Sequence, residues 1–201
     1  MKDKSKLMLV VRTSYGGNKA TQKLVESGPL TMQDKSGKEI SFELAHYQFI
    51  GDTHIRFVFD SECSMENATA EEFKSFNLSP NEAVDIAIKN IYRDYGEPNL
   101  YQLEQGIYQI QGNSPDFDSS YFLDAPLWEN LEIHFNSSIV VAVPSRNLLL
   151  LAPSSDKKSV VFLEENVKKW FVASDTQGVS SALYLYKNGA WSVYQAPMED
   201  Q

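Results

Sequence analysis

The chain has 201 residues, 42% of them hydrophobic and 12% aromatic, enough apolar surface for a sizeable core. Its formal net charge of -9 argues against nonspecific binding to nucleic acid or to an anionic membrane, since both are themselves negative. One cysteine, Cys63, excludes an internal disulfide, and no stretch approaches the roughly 18 apolar residues of a membrane span.

The leader MKDKSKLMLVVRTSYGG is charged and has no apolar signal core, so a cytoplasmic location is expected. Leu7 to Arg12, rich in Val and Leu, predicts a strand that Gly16-Gly17 ends. Ile40 to Ile50 alternates, with Ile40, Phe42 and Leu44 on one face. Gly51-Asp52 is a turn signal, and Thr53 to Asp60 alternates again through Ile55, Phe57 and Phe59. Two half-buried antiparallel strands are expected. From Ser61 to Phe73 the chain turns polar and acidic, through Glu62, Glu66, Glu71 and Glu72. That stretch reads as a linker, the one place where a single domain over 1–201 would weakly subdivide.

Ser79-Pro80-Asn81-Glu82 combines an N-cap serine, a proline at the first helical position and a glutamate three residues after the cap. Ala83, Val84, Ala87, Ile88, Ile91 and Tyr95 then form an apolar stripe, with Asp85, Ile86, Lys89, Asn90 and Arg93 on the wet side. Gly96 and Pro98 close the helix, predicted over 80–95. Gly106 to Gln111 reads as a strand and Gly112-Asn113-Ser114-Pro115 as a turn. A second helix is expected from Asp118 or Asp124, carrying Leu127, Trp128 and Leu131 inward.

Ile139 to Val143 and Leu148 to Ala152 are unbroken apolar runs of strand length, which predicts a hairpin covered on both faces. Pro144 cannot donate to a central ladder, so it is expected in the turn, within an exposed tip Pro144-Ser145-Arg146-Asn147. Leu163, Val167, Trp170 and Phe171 predict a third helix over 163–173. Asn188-Gly189 predicts a type I′ hairpin with Tyr186 opposite Trp191 and Tyr184 opposite Val193, an exposed aromatic surface. Together the elements give an α+β fold: mixed, mainly antiparallel sheet packed by about three helices.

Four stretches in this order, LMLVVRTSYG (7–16), NEAVDIAIKNI (81–91), DFDSSYFLDAPLW with VVAVPSRNLLLLA (116–152) and VSSALYLYKNGAWSVY (179–194), resemble the YtpQ-like family of bacterial proteins. The resemblance implies a cytoplasmic bacterial α+β protein. That family has no assigned activity, so no catalytic residue is carried over. Its longer N-terminal extension has no counterpart in these 201 residues, and no role of that segment is transferred.

Candidate chemistry is sparse. His46, His54 and His134 with Asp52 have suitable metal-ligand chemistry but not metal-site spacing, and ordinary strand histidines are the simpler reading. Asp116, Asp118, Ser120 and Asp124 begin like a calcium loop. Tyr121 then stands where the glycine is needed and Leu127 where the glutamate is needed, so helix capping is expected instead. Ser119, Ser120, Ser145 and Cys63 lie in no nucleophile-elbow context, and Gly16-Gly17 in no phosphate-binding pattern. No cofactor or metal is implied.

Arg146 closes a segment that holds no other Lys or Arg back to Tyr95 but carries Glu97, Glu104, Asp116, Asp118, Asp124, Glu129 and Glu132. It is expected either to pair with Asp116 or Asp118 or to sit solvated at the turn. Asp116, Asp118, Ser145 and Arg146 are therefore the candidate binding residues. The acidic segment favours a non-catalytic accessory protein for a basic protein partner, in an inhibitor or immunity-like role. The alternative is a hydrolase or small-molecule-binding enzyme built on Asp118, Ser145 and Arg146 at the hairpin tip. The aromatic hairpin raises a third option, a subunit of an assembly.

Overall fold

The computed structural model describes residues 2–14, 17–61 and 64–198. Gly16 and Cys63 lie outside them. The strands are β1 (Leu7–Thr13), β2 (Val25–Glu26), β3 (Leu30–Gln33), β4 (Glu39–Phe42), β5 (His46–Gln48), β6 (Thr53–Ser61), β7 (Ser64–Asn67), β8 (Asn99–Gln102), β9 (Tyr108–Gln111), β10 (Ile139–Ser145), β11 (Leu148–Pro153), β12 (Leu183–Lys187) and β13 (Ala190–Gln195). The α-helices are α1 (Ala70–Ser75), α2 (Pro80–Tyr95), α3 (Ala125–Phe135) and α4 (Lys157–Ala173). All the strand pairings are antiparallel, which makes the fold α+β as expected.

The larger sheet runs β13-β12-β10-β11-β9-β8, with the apolar hairpin at its centre. Ile139, Val141 and Val143 face one core while Val140 and Ala142 face another, in which Val160, Leu163 and Val167 of α4 take part. Pro144 departs from expectation by lying inside β10 and not in the turn. The register shifts between Ala142 and Ser145, and an irregularity of this kind is where a residue without an N–H is tolerated. Its carbonyl accepts from Val179 N, so only Arg146 and Asn147 form the tip.

The terminal hairpin has the predicted register, Tyr186 opposite Trp191 and Tyr184 opposite Val193. It is not an exposed aromatic surface, because Tyr184 and Tyr186 are buried and Trp191 packs on Phe122, Trp128 and Tyr186. Trp128 is itself buried and donates its indole N–H to the Tyr121 carbonyl at 2.9 Å, which satisfies the one polar atom it brings inside. The second predicted helix is two pieces, a 3-10 helix over Pro115–Leu123 and then α3, whose N-cap is Asp124. The third begins earlier than its apolar stripe, at Lys157, because Asp156 caps it by accepting from Lys158 N and Ser159 N.

The smaller sheet is ordered β1-β6-β5-β2, with β7 also paired to β6. Leu7, Leu9, Val11, Ile55, Phe57 and Phe59 share its apolar face, where Phe57 stacks on Phe73 of α1. β6 is not half-buried: His54 and Val58 on the opposite face are covered as well. The predicted strand over 40–50 is divided. β4 pairs only with β3 in a separate ribbon, while β5 joins the smaller sheet. Nor is 61–73 a linker, since β7 and α1 occupy it and Thr69 with Glu72 closes a capping box.

Helix α2 matches its predicted bounds and its box, with Ser79 and Glu82 exchanging hydrogen bonds. Asn90 is the exception to its wet face. It is buried and its amide donates to the Lys4 and Leu7 carbonyls at 3.0 and 2.7 Å, along the unpaired side of β1. The two sheets are stitched together by polar contacts. Thr13 Oγ1 donates to the Val179 carbonyl, Ser120 Oγ to the Leu9 carbonyl, and Ser180 and Tyr184 hydroxyls to Asp52 Oδ1.

Candidate functional site

The register of the smaller sheet sets a polar cluster on the face opposite Phe57. Arg12 stands across from His54, which stands across from Gln48; in the adjoining row Val10 stands across from Arg56 and Arg56 from His46. Side chains directly opposite one another in antiparallel strands share a face, so two arginines and two histidines come to one side.

The third arginine comes from the other sheet. Arg146 begins the turn between β10 and β11, and its N–H donates to the Gln177 carbonyl at 3.1 Å. The carbonyls of Gly178 and Val179, which follow directly, accept Thr13 Oγ1 at 3.1 and 2.8 Å. The turn of the larger sheet is thereby held against the end of β1, beside Arg12.

The electrostatics record the convergence. Arg12 is pushed down to about 9, first by burial and then by Arg146 and Arg56, with Asp116 opposing. It stays charged at neutral pH. Arg56 is lowered by burial and by Arg146. No described carboxylate makes a salt bridge with any of the three. The fourth arginine of the chain, Arg93, pairs with Asp94 at 2.7 Å.

The neighbouring histidines are neutral. Arg56 Nε donates to His54 Nε2 at 3.0 Å. Burial, then Arg56 and His46, push His54 down to about 3. His46 packs edge-on against it with ring centroids 5.6 Å apart, bonds the Gly28 carbonyl at 2.7 Å and is lowered chiefly by burial. Both imidazoles therefore add hydrogen-bonding capacity without adding charge.

Several donors are left over. Both terminal nitrogens of Arg56 have no partner among the described residues, and Arg146 Nε is buried without one. Arg12 uses one terminal nitrogen on the Val11 carbonyl at 2.8 Å, and Arg146 reaches the Thr176 carbonyl at a marginal 3.5 Å.

Of the four residues nominated from sequence, Arg146 comes to this cluster, and Asp116, exposed and making no contact with it, acts on Arg12 from a distance with opposite sign. Asp118 and Ser145 are held elsewhere. Asp118 is buried and accepts from Gly112 N at 2.8 Å, while Ser145 Oγ donates to Asn147 Oδ1 at 2.9 Å. Neither Asp116 nor Asp118 makes a salt bridge with Arg146. Of the residues weighed as metal ligands, His46 and His54 are adjacent, whereas Asp52 faces Ser180 and Tyr184. No three His, Cys, Asp or Glu side chains gather as a metal site among the described residues. Asp124 caps α3, the role expected for it.

No family model, curated protein or solved structure matches the chain. The site's chemistry alone thus bears on function. Arg12 and Arg56 were missed from sequence because each looks like an isolated basic residue in a strand. The available signal was scarcity: the chain has four arginines, and Arg12, His54 and Arg56 occupy strand positions of one parity.

A second feature involves none of these arginines. A groove of about 640 Å³ is lined by Asp85, Lys89, Tyr92, Glu97, Asp124 and Asn130, among others. Tyr92 OH donates to Asp124 Oδ2 at its wall, and burial raises both pKa values. No helix of the described chain is long and apolar enough to cross a membrane.

Proposed function

We propose that the protein is a non-catalytic binding protein whose ligand presents an anionic group to Arg12, Arg56 and Arg146. One observation carries the reading: three of the chain's four arginines gather with no described carboxylate paired to them. Acidic residues outnumber basic ones 27 to 18, so partners were abundant and are not used here. Partly buried guanidiniums that repel one another are costly, and a cost of that kind is expected where a ligand offsets it. The nearby His54 spends its Nε2 lone pair on Arg56, which removes the natural general base and supports binding over catalysis. Titration calorimetry against a panel of inorganic and organic anions tests the reading. Heat and saturation with wild type, lost in Arg56→Gln, are expected; the absence of saturable binding by every anion in the panel removes it.

A second reading, an accessory protein for a basic protein partner, is favoured by the groove bearing Asp85, Glu97 and Asp124. Such a partner associates faster at low salt. Affinity capture at low and moderate salt, repeated with Glu97→Lys, separates the two: a basic protein retained by wild type and released by both salt and reversal supports this reading.

We also propose membership of the YtpQ-like family, with the bacterial, cytoplasmic setting it implies. Arg12 and Arg146 fall within the stretches that carry the likeness, and Arg56 does not. A solved family member with a different strand order would end that kinship.

A further inference from the structure

We propose that the group held by Arg12, Arg56 and Arg146 is a tetrahedral dianion of the phosphate class, and not a carboxylate. This rests on the anion-binding reading above and adds the chemical class of the ligand.

Charge is the first argument. Three guanidiniums bring three positive charges, and Asp116 acts on Arg12 from a distance without forming an ion pair. The three charges are half-buried and without an ion pair among the described residues, and a monoanion offsets only one of them. A phosphate monoester carries close to two negative charges at neutral pH and offsets two.

Direction is the second. Arg12 and Arg56 approach from two neighbouring strands of the smaller sheet, in successive rows, whereas Arg146 approaches from the turn of the larger sheet. A planar carboxylate has two oxygens and is filled by one or two guanidinium forks. A phosphoryl group offers oxygens pointing in several directions, which is what donors from two separate sheets can reach. The donors left over are of the right kind, namely both terminal nitrogens of Arg56 and the buried Nε of Arg146.

His54 has a definite part as a positioning residue. Its neutral Nε2 holds Arg56 Nε at 3.0 Å, which fixes the guanidinium while both terminal nitrogens stay without a partner among the described residues. Placing a neutral acceptor here, where a carboxylate would serve as well to hold an arginine, leaves the positive charge available to a ligand.

The test is calorimetry on the full chain at constant ionic strength with inorganic phosphate, phenyl phosphate, sulfate, acetate and benzoate. Phosphate, phenyl phosphate and sulfate should bind and raise the melting temperature, and the two carboxylates should not. The ratio of phenyl phosphate to inorganic phosphate affinity separates an ester ligand from the free ion, and binding of either supports the proposal. Arg146→Lys keeps the charge and loses the fork, and it should weaken phosphate binding by about tenfold to a hundredfold. Arg93→Gln, outside the cluster, should leave binding unchanged. Arg146 lies on a half-buried turn, so its variants are chosen over those of Arg12, and a melting curve of each confirms folding. Carboxylates binding as tightly as phosphate overturn the dianion assignment while the anion-binding reading stands. Binding unaltered by Arg146→Lys and Arg146→Gln overturns the site itself, and no anion binding at all overturns the parent reading.

Discussion

Arg56 donates its Nε–H to Nε2 of His54 at 3.0 Å, and because a guanidinium can only donate, the imidazole must be the neutral acceptor with its proton on Nδ1. Burial, reinforced by Arg56 and His46, sets its pKa at about 3 against about 6.5 in an unfolded chain. The unfolded state therefore binds a proton that the folded state refuses. Stability due to His54 is full above pH ~6.5 and is lost as pH falls toward ~3. In nitrogen-detected NMR the His54 ring should keep its Nδ1–H tautomer from pH 8 to pH 5. A ring that titrates near 6.5 would show that Arg56 is not its donor.

Asp118 has the opposite sign. It is 1% exposed, and its pKa is raised to about 6 by burial, with the Gly112 N–H opposing and Asp116 adding to the rise. The folded state then binds a proton that the unfolded chain, with pKa ~3.9, has released. The contribution is full below pH ~4 and declines as pH rises to ~6. Asp118→Asn, which keeps an acceptor for Gly112 N, should stabilise the protein at pH 7 by about 2 kcal/mol and by little at pH 4. Urea unfolding of both proteins at the two pH values gives the comparison.

Gly51 turns the chain between β5 and β6 with φ of 60°, and a Cβ there would lie 2.7 Å from Tyr184 Cε1. Tyr184 cannot yield, because its hydroxyl is held by Asp52 and Ser180. Gly51→Ala should cost about 2–4 kcal/mol, strain in the left-handed region adding to overpacking. A midpoint unchanged in chemical denaturation would mean that the ring moves aside.

Asp124 serves two masters: Oδ1 accepts from Leu127 N as the cap of α3, and Oδ2 accepts from Tyr92 OH on α2. Asp124→Ala should cost about 2 kcal/mol, the lost cap plus a stranded hydroxyl. Asp124→Ala with Tyr92→Phe should cost less than the sum of the two single changes. Additivity in that cycle would deny the contact.

Local signals carried far in this chain. The α2 box, the Asn188-Gly189 register and the doubly covered hairpin each depend on residues within a few positions, and each is observed. The misreadings have physical causes. Ile40 and Phe42 alternate because they face Met32 and Leu30 across a small ribbon, where they stay 37% and 40% exposed, so their pattern described a ribbon face and not the core. Residues 64–75 look polar because β7 is an edge strand and α1 buries little beyond Phe73. The arginine cluster was illegible for a different reason. It exists only once β1 is registered on β6 and the β10–β11 turn is docked by Gln177 and Thr13, and no window of sequence contains those three facts.

The outer side of β1 offers a last consequence. Asn90 and Ser120 occupy the Leu7 and Leu9 carbonyls from the flank that no strand covers. Asn90 rides on α2 and Ser120 on the 3-10 helix, and these elements leave Leu7 and Leu9 fully buried, so a strand from a second molecule cannot add at this border unless both helices are displaced.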